Sequence, residues 1–455
     1  MLASSSPRLP SGPKGVPLFG NTLDAWRDPL ELMTRALAEH GDIARLQFGP
    51  YRYFVLNHPD AIKHVLVDHP KSYTKSRNYE GLKLVLGRGL LTSEGEAWRQ
   101  QRKVAQPAFH RERIAGFARS MVRCTEELMA TWEPRRGERV DVHADMMRLT
   151  LRIVGQTFFG ADVDADATAI GEALGVVITY AHDYVEQLVQ VPTWVPTPRN
   201  VRFRRAMRTL DGVVRRIIDV RRRSGEAGDD LLAMYLAARD ESGAPLPDDL
   251  VRDEVMTMVL AGHETTANAL TWTWYLLSRR PDVARRVRDE IRAVLADRAL
   301  DVGDLPRLEL CTRVVQESLR LYPPAWSFER QAVEDDEVMG FTVPAGTMIG
   351  ICPYILHRTR AWWDDPETFD PDRFTPERSA ARPRYAYLPF GGGPRTCIGS
   401  AFAMMEAQIV LAMVARRFAF EAPPERNVEL ELDITLRPRN GMKLRLDGRA
   451  TATAA

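Results

Sequence analysis

Apolar residues recur at helical spacing over long stretches of this chain. Leu308, Cys311, Val315, Leu319 and Tyr322 lie three and four apart and mark one face of a helix over about 308–322. Ala401 to Phe418 carries a second long apolar helical pattern, just after a glycine-rich loop. A third helix is predicted from Asp248 to Arg280, where Pro281 stops it. At 1.5 Å per residue it is about 48 Å long, enough to cross a whole domain. Its Val255–Leu277 stretch reaches the length of roughly 20 residues that a membrane span needs. Yet His263, Glu264, Thr265, Thr266 and Asn268 sit in its middle, and a central acid costs about 2.5–3.5 kcal/mol in a bilayer. The pattern predicts a helix buried in protein.

Other segments break this periodicity. Met1 to Gly20 is rich in Ser, Pro and Gly, has no apolar leader region and predicts an extended lead-in. Val185 to Pro198, with Trp194 and three prolines, reads as an apolar lid or access loop, with a membrane-surface contact ranked lower. Tyr79 to Leu91 is mixed, with Leu82, Leu84, Val85 and Leu86. Arg449 to Ala455 reads as a flexible tail. The length of 455 residues suggests two or three domains, but no linker, low-complexity tract or repeat divides the chain. One large helical domain over 21–448, wrapped round a big cofactor, fits as well. Lys plus Arg is 62 and Asp plus Glu is 61, which gives no footprint for a nucleic acid. Cys124, Cys311, Cys352 and Cys397 are scattered, without zinc or disulfide spacing.

The chemistry concentrates at Phe390-Gly391-Gly392-Gly393-Pro394-Arg395-Thr396-Cys397-Ile398-Gly399. A cysteine thiolate is a strong ligand for haem iron and favours O–O cleavage. Gly393 and Gly399, without a Cβ, let a flat macrocycle approach the loop. Arg395 offers a cation to a haem propionate. The helix that follows aims its N-terminus at the sulfur, which favours the thiolate.

This run resembles the haem-binding signature of the cytochrome P450 superfamily, Phe-x-x-Gly-x-x-x-Cys-x-Gly, at Phe390, Gly393, Cys397 and Gly399. Further landmarks of that family occur in order from about Leu9 to Pro438. Ala261-Gly262-His263-Glu264-Thr265 is similar to its (Ala/Gly)-Gly-x-(Asp/Glu)-Thr motif. By that resemblance Thr265 is the hydroxyl on the oxygen side and Glu264 the acid of a proton relay. The costly Gly262 and the back-bonding Thr265 would loosen the helix and open a groove for O2 and water. His263 reads as structural or lining, since a second strong axial ligand would block oxygen. Glu317 and Arg320 lie one helical turn apart and can pair. With Arg373 in Pro371-Asp372-Arg373-Phe374, they resemble the family's buried charge network that holds the loop before the cysteine. Trp98 and Arg102, at an offset of four, resemble its propionate-binding pair, and Arg330 is a further propionate ligand by resemblance.

The resemblance implies a mainly α fold with small β-sheets (α+β), one domain holding haem b (iron protoporphyrin IX) between a long central helix and the Cys397 loop. It implies a monooxygenase that inserts one atom of O2 into a lipophilic small molecule of terpenoid, fatty-acid, steroid or macrolide type. Ala325, Trp326, Leu82 and Val85 are expected to shape the substrate pocket. The stretch after Cys397 is too short for a flavin or iron–sulfur domain, so a separate ferredoxin or flavodoxin with its NAD(P)H reductase is expected. The resemblance places Arg99, Lys103, Arg395, Arg416 and Arg417 on or near the face where that donor docks, a candidate positive patch, the alternative being cations that only neutralise propionates or form solvated helix faces. A peroxygenase or isomerase is the alternative within catalysis, and a haem sensor or carrier the alternative outside it. A cytoplasmic monomer without a membrane anchor completes the expectation.

Overall fold

The structure is a computed structural model and describes residues 8–187, 190–225, 228–240, 242–422 and 428–448. The chain forms two compact units. Met1–Glu80, Ala325–Thr368 and Pro376–Cys397 make the first. Gly81–Pro324, Phe369–Thr375 and Ile398–Ala455 make the second.

The first unit is built on a five-stranded sheet. Its order is Ile43–Phe48, Tyr51–Leu56, Met348–Ile351, Phe328–Ala332, Tyr73–Thr74. The first two strands form an antiparallel hairpin whose turn needs Gly49 at φ +53°. Tyr51–Leu56 then pairs in parallel with Met348–Ile351, with Phe54 opposite Ile349. Tyr53–Leu56 and Met348–Ile351 are buried at every position, as strands covered on both faces are, while Tyr51 and Arg52 reach solvent. Phe54, Leu56, Ile62, Val65, Ile349 and Ile351 form the core. The lead-in extends the sheet: Arg45 N–H donates to the Ser11 carbonyl at 2.8 Å. An extended segment is therefore present from Arg8 on, while Met1–Pro7 and the predicted tail at Arg449–Ala455 lie outside the described residues.

The second unit is helical. The long helix runs Asp248–Arg279, and nearly every side chain from Val251 to Leu277 is buried. It therefore has no polar face, as a helix enclosed by protein requires. Arg280 leaves the helix at φ −127°, ψ 74°, because a residue before proline avoids helical geometry. The predicted 308–322 helix spans Glu309–Leu321 and ends for the same reason: Tyr322 precedes Pro323 and leaves the helix at φ −130°, ψ 68°. Its stripe is buried at Leu308, Cys311, Val315 and Leu319, and Tyr322 stacks on Trp272 with ring centroids 4.1 Å apart. The helix Ser400–Arg417 buries Phe402, Ile409, Val410 and Leu411. A three-stranded sheet, Arg139–Asp141, Lys443–Gly448 and Phe418–Glu421, and the hairpin Leu430–Leu432 with Leu436–Pro438 also belong to this unit. Among the described residues, no helix is long and apolar enough to cross a membrane.

Candidate active site

Cys397 is the exposed one of the four cysteines; the other three are buried. Burial pushes Cys124 up to about 11 and Cys352 up to about 12, and lifts Cys311 well above the usual thiol range. Only Cys397 thus offers its sulfur to a ligand. Its loop is closed by its own N–H on the Phe390 carbonyl at 2.9 Å and by Thr396, whose N–H and hydroxyl both donate to the Gly393 carbonyl at 3.0 and 2.7 Å. Gly393 takes φ +69°, and a Cβ there would stand 1.8 Å from the Leu66 carbonyl oxygen. Glycine is required at 393 for the turn and for a protein neighbour as well as for any approach of a ligand. Gly399 has φ −87°, ψ 7°, a conformation open to any residue. Phe390 and Arg395 are half-buried.

In the second unit, Thr265 donates its hydroxyl to the Ala261 carbonyl at 2.8 Å, the back-bond expected from the sequence. The helix nonetheless stays continuous through Ala261–Thr266. Gly262 has a packing reason: a Cβ would meet Val154 Cγ2 at 3.1 Å on the helix Val142–Phe158. His263 is 1 % exposed, its Nδ1 lies 2.8 Å from the Val259 carbonyl, and burial lowers it to about 4. It is structural, as expected.

Glu264 is 2 % exposed. Desolvation raises its carboxyl above the usual range, against two partners that lower it. Thr435 donates its hydroxyl to Oε1 at 2.6 Å, and Arg437 Nη1 stands 3.8 Å from the same oxygen. Arg437 is itself held by Glu431 and Asp433, each at 2.7 Å. Asn268 donates to Thr435 at 3.2 Å and lies 3.1 Å from His143 Nε2. Sequence reading missed Thr435, Arg437 and Asn268. The first two lie on the hairpin near the C-terminus, far along the chain from Glu264, and no local pattern marks them.

The charge network forms. Glu317 and Arg320 are fully buried and Arg373 is 4 % exposed. Arg320 binds Glu317 through Nε at 2.7 Å and Nη2 at 2.8 Å; Arg373 Nε lies 3.4 Å from Glu317 Oε1. Asp370 N–H donates to the same Oε1 at 2.9 Å. A solvated helix face is thereby overturned. Asp372, beside the network, holds Arg286 and Arg313 instead.

Trp98 and Arg102 share the helix Gly95–Ala105, both half-buried, and line a cavity of ≈ 390 Å³ with Arg99, Lys103 and Gln106. Trp98, Arg99, Arg102 and Lys103 place an indole, two guanidiniums and an ammonium along that open pocket. In the first unit Arg330 is half-buried on the strand Phe328–Ala332. Of the pocket residues there, Trp326 is buried and Ala325 exposed. In the second unit Leu82 is half-buried and Val85 fully buried. Trp194 is 74 % exposed; the rest of its loop includes 188–189, outside the described residues. The expected basic patch shrinks. Arg416 spends its guanidinium on the Ala296 and Arg298 carbonyls at 2.7 Å, and Arg417 pairs with Glu133. Arg99 and Lys103 stay exposed, Arg99 in a weak surface pair with Glu96.

Comparison with known proteins agrees with this layout. Residues 10–445 match the cytochrome P450 family. Cyclooctatin synthase of Streptomyces melanosporofaciens is 39 % identical over 95 % of this chain and 92 % of its own. Cyclooctat-9-en-7-ol 5-monooxygenase of the same organism is 37 % identical over 93 % and 92 %. Pentalenene oxygenase of Streptomyces avermitilis is 33 % identical over 96 % and 97 %. With the family's cysteine loop, acid–threonine helix and buried Glu–Arg–Arg network all in place, the chain belongs to the cytochrome P450 family and is a monooxygenase-type oxidoreductase within it.

Proposed function

We propose that this chain is a haem-thiolate monooxygenase of a cyclic terpenoid, with haem b ligated by Cys397. The exposed Cys397 thiol on a closed loop, in a chain whose other cysteines are buried, is the observation that carries the reading. The names of three relatives, a cyclooctatin synthase, a cyclooctat-9-en-7-ol 5-monooxygenase and a pentalenene oxygenase, support the terpenoid class over fatty acids, steroids and macrolides. A family match that runs unbroken from 10 to 445 supports one functional domain over residues 21–448.

The residues present fit the cofactor. Cys397 supplies the sulfur, and Trp98, Arg102, Arg330 and Arg395 are half-buried donors suited to its propionates. Ala261, whose carbonyl carries the Thr265 bond, leaves a small side chain on the half-buried face of the helix. When bound, haem ligated by a thiolate supplies oxygen activation. The protein's part is proton handling. Thr265 donates its hydroxyl proton in a hydrogen bond to the Ala261 carbonyl, so toward a water it acts as an acceptor that holds that water in line. Glu264, raised by burial, holds a proton further toward neutral pH than a surface acid does. To pass it on, the carboxyl must leave Thr435, which makes Thr435 and Arg437 the residues that position the acid.

Electrons come from a separate ferredoxin or flavodoxin with its reductase, docking at Arg99 and Lys103, and the chain acts as a cytoplasmic monomer. The intact Glu264–Thr265 pair favours this over a peroxygenase, an isomerase or a haem sensor. The test is a spin-state binding screen of terpenoid hydrocarbons and alcohols, followed by turnover with a surrogate reductase. Reduced protein with carbon monoxide should show the strongly red-shifted Soret band of thiolate ligation, and Cys397→Ala should lose it. Retention of that band in Cys397→Ala would overturn the ligand assignment. Spin-state shifts with fatty acids alone would overturn the substrate class.

A further inference from the structure

We propose that His64, His69 and Asp336 in the first unit bind one divalent transition-metal ion of the zinc class, at a site separate from Cys397. The short helix Pro59–Lys63 runs into a wide turn, His64–Asp68, closed by the His69 N–H on the His64 carbonyl at 2.8 Å. On an α-helix, residues five apart point about 140° away from each other. The wider π-type turn brings them into line, and such turns recur at functional sites. Here it stacks the His64 and His69 rings, with centroids 4.1 Å apart and planes 19° apart, so the exposed His69 ring must turn out of the stack for both ring planes to meet at one ion.

Asp336 opens the strand Asp336–Val338 and faces this pair. Its Oδ2 lies 2.8 Å from His64 Nε2 and accepts the Tyr73 hydroxyl at 2.7 Å; its Oδ1 accepts the Glu337 N–H at 2.7 Å. The carboxylate is therefore oriented before any ligand arrives. One donor atom from each of His64, His69 and Asp336 falls within 4.8 Å of the other two. Zinc bonds of about 2.0–2.2 Å set tetrahedral donor atoms about 3.3 Å apart. Rotation of the exposed His69 side chain about its own bonds closes that gap, while His64 stays half-buried beside Asp336. The His69 side is open to solvent, leaving a position for water.

Two imidazole nitrogens and one carboxylate oxygen suit zinc, nickel, cobalt or copper, whereas calcium and magnesium prefer oxygen alone. On binding, the His64 Nε2 proton leaves to solvent and the metal takes its place before Oδ2. The Tyr73 hydroxyl remains as the carboxylate's outer hydrogen-bond donor. The ion would tie the 64–69 turn to the strand at 336. That turn supports the cysteine loop, because the Leu66 carbonyl fills the space a Cβ on Gly393 would need.

The test uses the full haem-loaded chain without a histidine tag, stripped with chelator and titrated with Zn²⁺ alone by calorimetry and elemental analysis. One tight equivalent per chain is expected. His69→Gln and Asp336→Asn should each weaken it tenfold or more, and His110→Gln, at another exposed histidine, should leave it unchanged. His69 is exposed, so its replacement spares the fold. Saturating Mg²⁺ should not compete. Zinc should also raise the temperature at which the thiolate carbon-monoxide spectrum is lost in wild type but not in His69→Gln. Absence of the tight equivalent, or equal affinity in His69→Gln, would overturn the site.

Discussion

Replacing Glu317 by alanine tests whether the buried network belongs to folding or to chemistry. The carboxylate is fully enclosed and receives two hydrogen bonds from Arg320, one from the Asp370 N–H and the charge of Arg373. Burial raises the acid and the guanidiniums hold it down, so the network is a balance of desolvation and pairing. Alanine removes only one side of that balance. Arg320 keeps its buried charge without its acid, and breaking such a pair costs about 3–5 kcal/mol. The Asp370 N–H loses its acceptor as well, for about 1–3 kcal/mol alone, an overlapping rather than additive loss. The folding equilibrium then falls by about two to four powers of ten, within reach of the whole stability of a domain. The helix Glu309–Leu321 and the turn Pro371–Phe374 are joined through this network, so both ends of the join loosen. The assay is chemical denaturation of the purified variant together with its haem-loaded fraction after expression. Little haem-loaded protein and a much lower denaturation midpoint are expected. Glu317→Gln should fall between, since it keeps an acceptor but turns one amide N–H toward a guanidinium. A wild-type midpoint with full haem loading in Glu317→Ala would refute the reasoning.

Other outcomes follow from the same geometry. Thr265→Ala should keep haem content and substrate binding but divert reducing equivalents into peroxide, measured as product formed per NAD(P)H consumed. Thr435→Val removes the hydrogen bond that favours ionised Glu264, so the pH–rate profile should move to higher pH, while an unmoved profile would remove Thr435 from the relay. Glu254 is raised to about 7 by burial, so the folded chain holds that proton to higher pH than the unfolded chain. Stability should therefore fall as pH rises from about 5 toward 8, by up to about 3 kcal/mol. Glu254→Gln should flatten that slope in denaturation curves taken at both ends of the range. First-electron transfer should slow as ionic strength rises, and Lys103→Glu should slow it further without changing substrate affinity, as stopped-flow reduction would show.

The elements that could be read along the chain are those whose information is local. A helical stripe such as Leu308 to Leu319, a proline stop such as Pro281, and a ten-residue loop round Cys397 each carry their pattern within a few turns of backbone. The Thr265 back-bond belongs to the same class, because its partner is one turn away. Spacing also paired Glu317 with Arg320, yet a helix face with an acid and a base one turn apart is usually solvated. The burial of the pair and the arrival of Arg373 were expected from the family resemblance alone, and the packed structure adds the Asp370 N–H. The reason for Gly262 changed: from sequence it loosens a helix, and in the structure it admits Val154. Thr435 and Arg437 were invisible beforehand, since a hairpin distant in sequence meets Glu264 only after the chain has folded back. His64, His69 and Asp336 differ again. The histidines lie five positions apart, a spacing that an α-helix scatters, and only the wider turn together with a strand far along the chain assembles them with Asp336. Local periodicity records which face of an element is buried; what that face meets depends on contacts between distant segments, and those contacts decide the chemistry of a buried charge.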